Sequence, residues 1–239
     1  MTEDSVAALP KAFPLIAGRA GLELFSGEGG LTRAFRDAGL PMLDPWDIRG
    51  GRDIFDPSLD RLISSGRVGW VWLAPPCTTF GSLINLRSRA AGGPLRTPAN
   101  PWGDEANSKI AEGNRYWRRA MQLIKLCHAC GIPAVLEHPQ QSMAWRMPAA
   151  DFVRYGMSKV PLDQCMFGQR AGTATLKRKS TILMCSAGLP WIKAVALRCD
   201  RSHTRGAPIE GRAMAAASGA YPTALCEKLA ASYAAGLAA

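Results

Sequence analysis

Val71-Trp72-Leu73-Ala74-Pro75-Pro76-Cys77-Thr78-Thr79-Phe80 is the stretch from which the rest of the chain can be read. A short apolar run rich in Val and Trp suits a strand buried on both faces. Pro75 and Pro76 cannot continue a hydrogen-bonded ladder, so the strand stops and the chain turns. In an open α/β sheet the ligand crevice lies beyond the strand ends. Cys77 therefore stands where a nucleophile is useful. A half-buried loop cysteine is the plainer reading of the same residue, because free cysteine is common in cores.

Two further stretches repeat the pattern of an apolar strand that delivers something polar. Upstream, Leu22-Glu23-Leu24-Phe25-Ser26-Gly27-Glu28-Gly29-Gly30 reads as a strand over Gly21–Phe25, then a glycine-rich turn. A helix over Leu31–Ala38 follows, with its N-terminal N–H groups free to meet an anionic group. Downstream, Ala134-Val135-Leu136-Glu137-His138-Pro139 is a short strand that carries a carboxylate. Between them Pro41–Ile48 reads as a second strand, and Asp47 near its end stands where Rossmann-like folds bind a ribose. Trp46 or Ile48 would then pack on a base. Near the end of the chain, Val160–Phe167 and Ser180–Cys185 read as an antiparallel hairpin joined by Gln169–Lys179. The expected fold class is α/β, Rossmann-like, with a mostly parallel central sheet and this late hairpin.

Together these motifs resemble the DNA cytosine-C5 methyltransferase family, over most of the chain from Leu22 to Ala235. The resemblance implies that Phe25, Ser26, Gly27, Gly29 and Gly30 form the loop that binds S-adenosylmethionine. It implies that Asp47, Ile48, Asp53, Ile54 and Pro75 complete the cofactor site. Cys77 matches the Pro-Cys nucleophile, and Glu137 the glutamate that binds the target base. Arg178 and Lys179 lie at the family's Gln-x-Arg-x-Arg segment, which here is only partial: Gln169 is present and the basic cluster Lys177-Arg178-Lys179 lies further on. Ala217-Ser218-Gly219-Ala220-Tyr221-Pro222 and the helix Thr223–Ala235 resemble the last motif, which completes the cofactor pocket. Family members usually carry a large target-recognition domain before that motif. Only residues 186–215 stand in its place, too few for a separate core. A single-stranded or shape-recognised DNA partner is the expectation that follows.

Composition agrees with one domain over residues 1–239: 47% of the residues are hydrophobic, enough for a full α/β core. Residues 1–20 read as a lead-in. No apolar run is long enough to span a bilayer, so no membrane is expected. An odd count of seven cysteines and an acidic start suggest a reducing, cytoplasmic setting, and a monomer is expected. The net charge of +10 is unevenly spread: residues 1–84 carry −2, residues 85–119 carry +4 and residues 167–212 carry +7. Clustered cations of this kind gain from releasing counterions on phosphate binding.

Residues 81–114 contain Gly92-Gly93-Pro94, Pro98, Pro101 and Gly103 together with Arg87, Arg89 and Arg96. An irregular segment of this length beside a nucleophile suggests a mobile catalytic loop. A helix over Asn114–Cys130 follows it, and Cys127-x-x-Cys130 reads as helix end and core. No metal is expected as part of the chemistry. A zinc alternative exists: Cys165, Cys185, Cys199 and His203 would supply three thiolates and one imidazole. His138 alternates with Glu137, so it points to the opposite face, and exchange for Asn is expected to be tolerated. Two other functions fit the same residues: a nucleic-acid binder that has lost catalysis, and an enzyme with the same nucleophile acting on a free nucleotide.

Overall fold

Among the described residues, five strands form one sheet: β1 (Ala20–Leu24), β2 (Val68–Leu73), β3 (Ala134–Pro139), β4 (Ser158–Asp163) and β5 (Ser180–Cys185), in the order β1-β2-β3-β5-β4. The helices are α1 (Gly30–Asp37), α2 (Pro57–Ser64), α3 (Ser108–Ala129), α4 (Ala149–Arg154), α5 (Gly211–Ala217) and α6 (Thr223–Leu237). This computed structural model describes residues 19–81, 92–147, 149–187, 189–204, 206, 209 and 211–237. The lead-in over 1–18 and Arg87 and Arg89 lie outside them.

β1, β2 and β3 pair in parallel, β5 opposes β3, and β4 opposes β5. The α/β class with a late antiparallel hairpin is thus what the chain adopts. Side chains alternate across the sheet with period 2, and this builds two cores. Val71, Leu73 and Leu136 face α2 and α3, where Leu59, Ile63, Trp117 and Leu123 are buried. Trp70, Trp72 and Val135 face α1 and α6, where Leu31, Phe35, Leu225 and Tyr233 are buried. Burying each such side chain contributes about 1.5–3 kcal/mol, so these two faces carry most of the fold.

The expected second strand over Pro41–Ile48 is not one. Only two isolated parallel bridges form beside β1, Gly21 to Met42 and Leu24 to Trp46. Pro41 and Pro45 have no N–H to give, which prevents a continuous ladder. The opposite edge, β4, carries Pro161 and exposed Lys159.

α3 starts at Ser108, six residues before the expected Asn114, because Asn107 caps it by accepting the Lys109 N–H at 3.1 Å. The segment before it is tied down by Arg96, whose side chain is buried. Arg96 donates to the carbonyls of Thr79, Pro101 and Trp102 at 3.0, 2.9 and 2.9 Å, and to Asn114 Oδ1 at 2.7 Å. Its guanidinium lies 3.8 Å from the Phe80 ring centroid. Residues 92–107 are therefore held against the Cys77 turn. The remainder of the expected mobile loop, 82–91, lies outside the described residues.

Candidate active site

The glycine turn begins where β1 ends. Phe25, Gly27 and Gly29 have φ of 56°, 54° and 64°. Glycine adopts this left-handed backbone freely, whereas Phe25 does so at a cost of about 1–3 kcal/mol. Surrounding bonds hold the turn in place. Phe25 donates its N–H to the Trp46 carbonyl at 2.9 Å. Asp47 Oδ2 accepts the Gly27 N–H at 3.0 Å, and Oδ1 accepts the Arg49 N–H at 2.9 Å. Asp47 thus braces the turn, and each oxygen keeps a lone pair for a ligand hydroxyl.

The free N-terminus expected for α1 is partly taken. Glu23, buried near the end of β1, accepts the Thr32 N–H at 2.8 Å and the Thr32 hydroxyl at 2.6 Å. A carboxylate of the chain itself meets the positive end of this helix. Burial, the largest effect, raises the Glu23 pKa, and its bonds to Thr32 oppose that shift.

One cleft of about 580 Å³ joins the glycine turn to the Cys77 loop, a volume within the usual range for small-molecule sites. Phe25, Ser26, Gly27, Asp47, Ile48, Asp53, Ile54 and Pro75 line one part of it, and Cys77, Glu137, Lys179 and Tyr221 line the rest. Gly29 and Gly30 support the turn from behind, as the N-cap and first residue of α1. Ile48 is 65% exposed, an apolar side chain left at the mouth. Ile54 is buried, its carbonyl held by Arg119 Nε at 2.8 Å. Asp53 accepts the Phe55 N–H, and its carbonyl accepts the Trp46 indole N–H at 2.9 Å. A smaller cavity of about 150 Å³ lies between α1 and α6, lined by neither Cys77 nor Glu137.

Three groups set the electrostatics of the inner end. Lys179 Nζ lies 4.0 Å from Glu137 Oε1 and donates to the Ser218 carbonyl at 2.9 Å. Glu137 Oε1 is buried and has no hydrogen-bond partner among the described residues. Burial raises the Glu137 pKa, while Lys179 and the hydroxyls of Tyr221 and Thr181 pull it down. Burial also raises the Cys77 thiol pKa; Lys179 opposes that rise and Glu137 adds to it. Tyr221 is fixed by the Trp72 indole, which donates to its hydroxyl at 3.0 Å. The inner end can therefore hold a protonated carboxyl next to a thiol, with one cation biasing both.

The resemblance left Arg178 and Lys179 equivalent, and the structure separates them. Lys179 faces the cleft. Arg178 turns away to Asp163, with Nε 3.2 Å from Oδ1, and does not line the cleft. The four-ligand zinc set also separates. Cys165, Cys199 and His203 come together, whereas Cys185 sits at the far end of β5, opposite Ser158 and away from the Ser180 end next to Asp163. His138 does point away from Glu137. Its ring is fully buried among Phe80, Trp117 and Trp145, at centroid distances of 5.6, 5.4 and 5.9 Å. Asn cannot fill that space, so the expected tolerance is corrected.

Tyr221 and Tyr116 were not singled out from sequence, yet both line the cleft. Tyr221 had one visible signal, an aromatic residue inside a run of Ala, Ser and Gly. Tyr116 had none, because on a polar helix turn it looks like any surface aromatic.

The sequence matches no protein-family model and no curated protein. Among solved structures, the Entamoeba histolytica methyltransferase EhMeth is similar over 72% of this chain and 54% of its own, at 12% identity and a TM-score of 0.41. The S. pombe Dnmt2 methyltransferase is similar over 71% of this chain and 49% of its own, at 13% identity and a TM-score of 0.37. The chain spans about half the length of those proteins. Likenesses this remote assign no activity and no residue here, so the functional reading rests on the site itself. No described helix is long and apolar enough to cross a membrane.

Proposed function

We propose that this chain is an S-adenosylmethionine-dependent methyltransferase that acts on C5 of cytosine in DNA through a covalent adduct with Cys77. The observation that carries the reading is the single cleft shared by the glycine turn and by Cys77, Glu137 and Lys179. The cofactor residues suit such a ligand: Asp47 has lone pairs for ribose hydroxyls, and Ile48 offers an exposed apolar surface for adenine. When bound, S-adenosylmethionine supplies the electrophilic methyl that C5 accepts.

The residues of the chain do the rest. Cys77, as thiolate, adds to C6 of the ring, and the electron pair released makes C5 nucleophilic. Lys179 favours that thiolate by its charge. Glu137, whose pKa burial raises, donates a proton to N3 and neutralises the charge that develops on the ring. Its unpartnered buried oxygen is an acceptor for the exocyclic amine. After the methyl is on C5, water takes the C5 proton, the Sγ–C6 bond breaks, the thiolate leaves and N3 returns its proton to Glu137. The base must leave its stack to reach the cleft, at a cost of a few kcal/mol that is smaller in single strands. The exposed basic residues of 92–119 and 167–204 are the expected phosphate contacts.

The test is incubation with labelled cofactor and DNA, followed by nucleoside mass spectrometry. Cys77→Ser should abolish 5-methylcytosine and keep cofactor binding. DNA carrying 5-fluorocytosine should form a stable adduct with the native chain only. If Cys77→Ser still makes 5-methylcytosine at near-native rate, the covalent reading is wrong.

A further inference from the structure

The segment that stands in place of a recognition domain is fastened to the hairpin at several points. Asp163, at the end of β4, donates its N–H to the Leu197 carbonyl at 2.8 Å. Its Oδ2 accepts the Cys199 N–H at 2.9 Å and pairs with Arg198 Nε at 3.2 Å. Gly206 donates to the Leu176 carbonyl at 3.2 Å. Between these ties, Cys165 Sγ, Cys199 Sγ and a ring nitrogen of His203 all lie within 4.8 Å of one another.

We propose that Cys165, Cys199 and His203 bind a zinc ion, with water as the fourth ligand, and that this ion clamps residues 197–204 onto the hairpin. Two thiolates at about 2.3 Å and an imidazole at about 2.0–2.1 Å from a tetrahedral zinc suit three donor atoms packed this closely. His203 Nε2 is already 3.4 Å from Cys199 Sγ. His203 Nδ1 faces the Thr204 carbonyl at 3.4 Å. An Nδ1–H donated to that carbonyl leaves the Nε2 lone pair for the metal, the outer-shell arrangement usual for ligating histidines.

Arg201 has φ of 66°, so the turn after Cys199 is bent on a non-glycine residue. Asp163 serves as a brace and not as a ligand, since Ser180 and Arg178 already hold its other oxygen. Binding replaces two thiol protons by the metal, and both protons go to solvent.

The test does not depend on activity. The full chain is expressed in zinc-supplemented medium, purified without chelator and measured by elemental analysis. About one zinc per chain is expected. Cys199→Ser and His203→Ala should each lose most of it while circular dichroism shows a folded chain. Cys185→Ser and Cys130→Ser should keep it. Cobalt exchanged into the site should give a thiolate charge-transfer band that Cys165→Ser weakens. A native chain without zinc, a Cys165–Cys199 disulfide in the fresh protein, or metal retained by the double variant of Cys199 and His203 each overturns the proposal.

Discussion

Lys179 Nζ stands 4.0 Å from Glu137 Oε1, while the Ser218 carbonyl holds the ammonium at 2.9 Å. This separation is too long for a direct hydrogen bond. The lysine therefore acts on Glu137 and Cys77 through its field, without occupying the carboxyl oxygen that a base would need. Replacing Lys179 by Met should raise the Cys77 pKa further, because Lys179 lowers it. Each unit of rise leaves about tenfold less thiolate below the pKa. The rate of Cys77 alkylation at pH 8 in the native chain and the variant checks this; equal rates would show that the lysine charge does not reach the sulfur.

Asp47 both braces the Gly27 turn and stands ready for a ligand. Asp47→Ala should weaken cofactor binding by about 10–100-fold, from the loss of the brace and of a hydrogen bond to a charged group. Asp47→Asn keeps one acceptor oxygen and should lose less. Calorimetric titration with S-adenosylmethionine separates the two, and equal affinity in all three proteins would place the ribose elsewhere.

His138 is held neutral. Burial and, after it, the charge of Lys179 move its pKa from 6.5 to about 3. The unfolded chain takes up a proton near 6.5 that the folded chain refuses. Stability from this group is thus complete above pH 6.5 and is lost as pH falls toward 3, at up to about 1.4 kcal/mol per pH unit. His138→Asn should cost about 1–3 kcal/mol at pH 7.5 through the gap it leaves, and less at pH 4.5. Urea unfolding at the two pH values checks the sign; a penalty that grows at pH 4.5 would contradict it.

Arg96 satisfies carbonyls on both sides of the segment that leads to α3. Arg96→Met should cost about 3–5 kcal/mol, because those carbonyls and Asn114 lose a buried donor together. Thermal unfolding measures the loss, and proteolysis should cut residues 92–107 in the variant first.

If the basic segments bind DNA, affinity must fall as salt rises. Neutralising about four phosphates predicts a loss of about two orders of magnitude between about 50 and 200 mM salt. Fluorescence anisotropy on single- and double-stranded oligonucleotides gives the slope, and a flat response would exclude phosphate contacts as the source of binding.

The parts of the fold that were legible in the sequence were those where an apolar run meets a breaker. β1 before Gly27, β2 before Pro75 and β3, which closes on Pro139, each stand where such a run ends. Their order brings the glycine turn, Cys77 and Glu137 to one cleft. Pro41–Ile48 reads as a strand because its apolar residues suggest a ladder, and Pro41 and Pro45 forbid it. The first turns of α3 were missed because they are polar and contain Gly113, so the hydrophobic period starts late. Which charged side chains pair across the fold was not legible. Nothing local in Lys177-Arg178-Lys179 tells that Asp163 takes Arg178 and leaves Lys179 to Glu137. Nor does anything local tell that Arg96 is buried.

The prolines at both margins of the sheet have a consequence for the crowded chain in a cell. An unpaired strand margin is a template on which another molecule can add a strand and begin a fibril. Pro41 and Pro45 beside β1, and Pro161 with Lys159 in β4, leave gaps in the donor row and place a charge on it. Replacing Pro161 by Val and Lys159 by Thr would complete a smooth β-branched margin. The folded chain would change little, but its solutions should turn turbid on standing, at concentrations where the native chain stays clear.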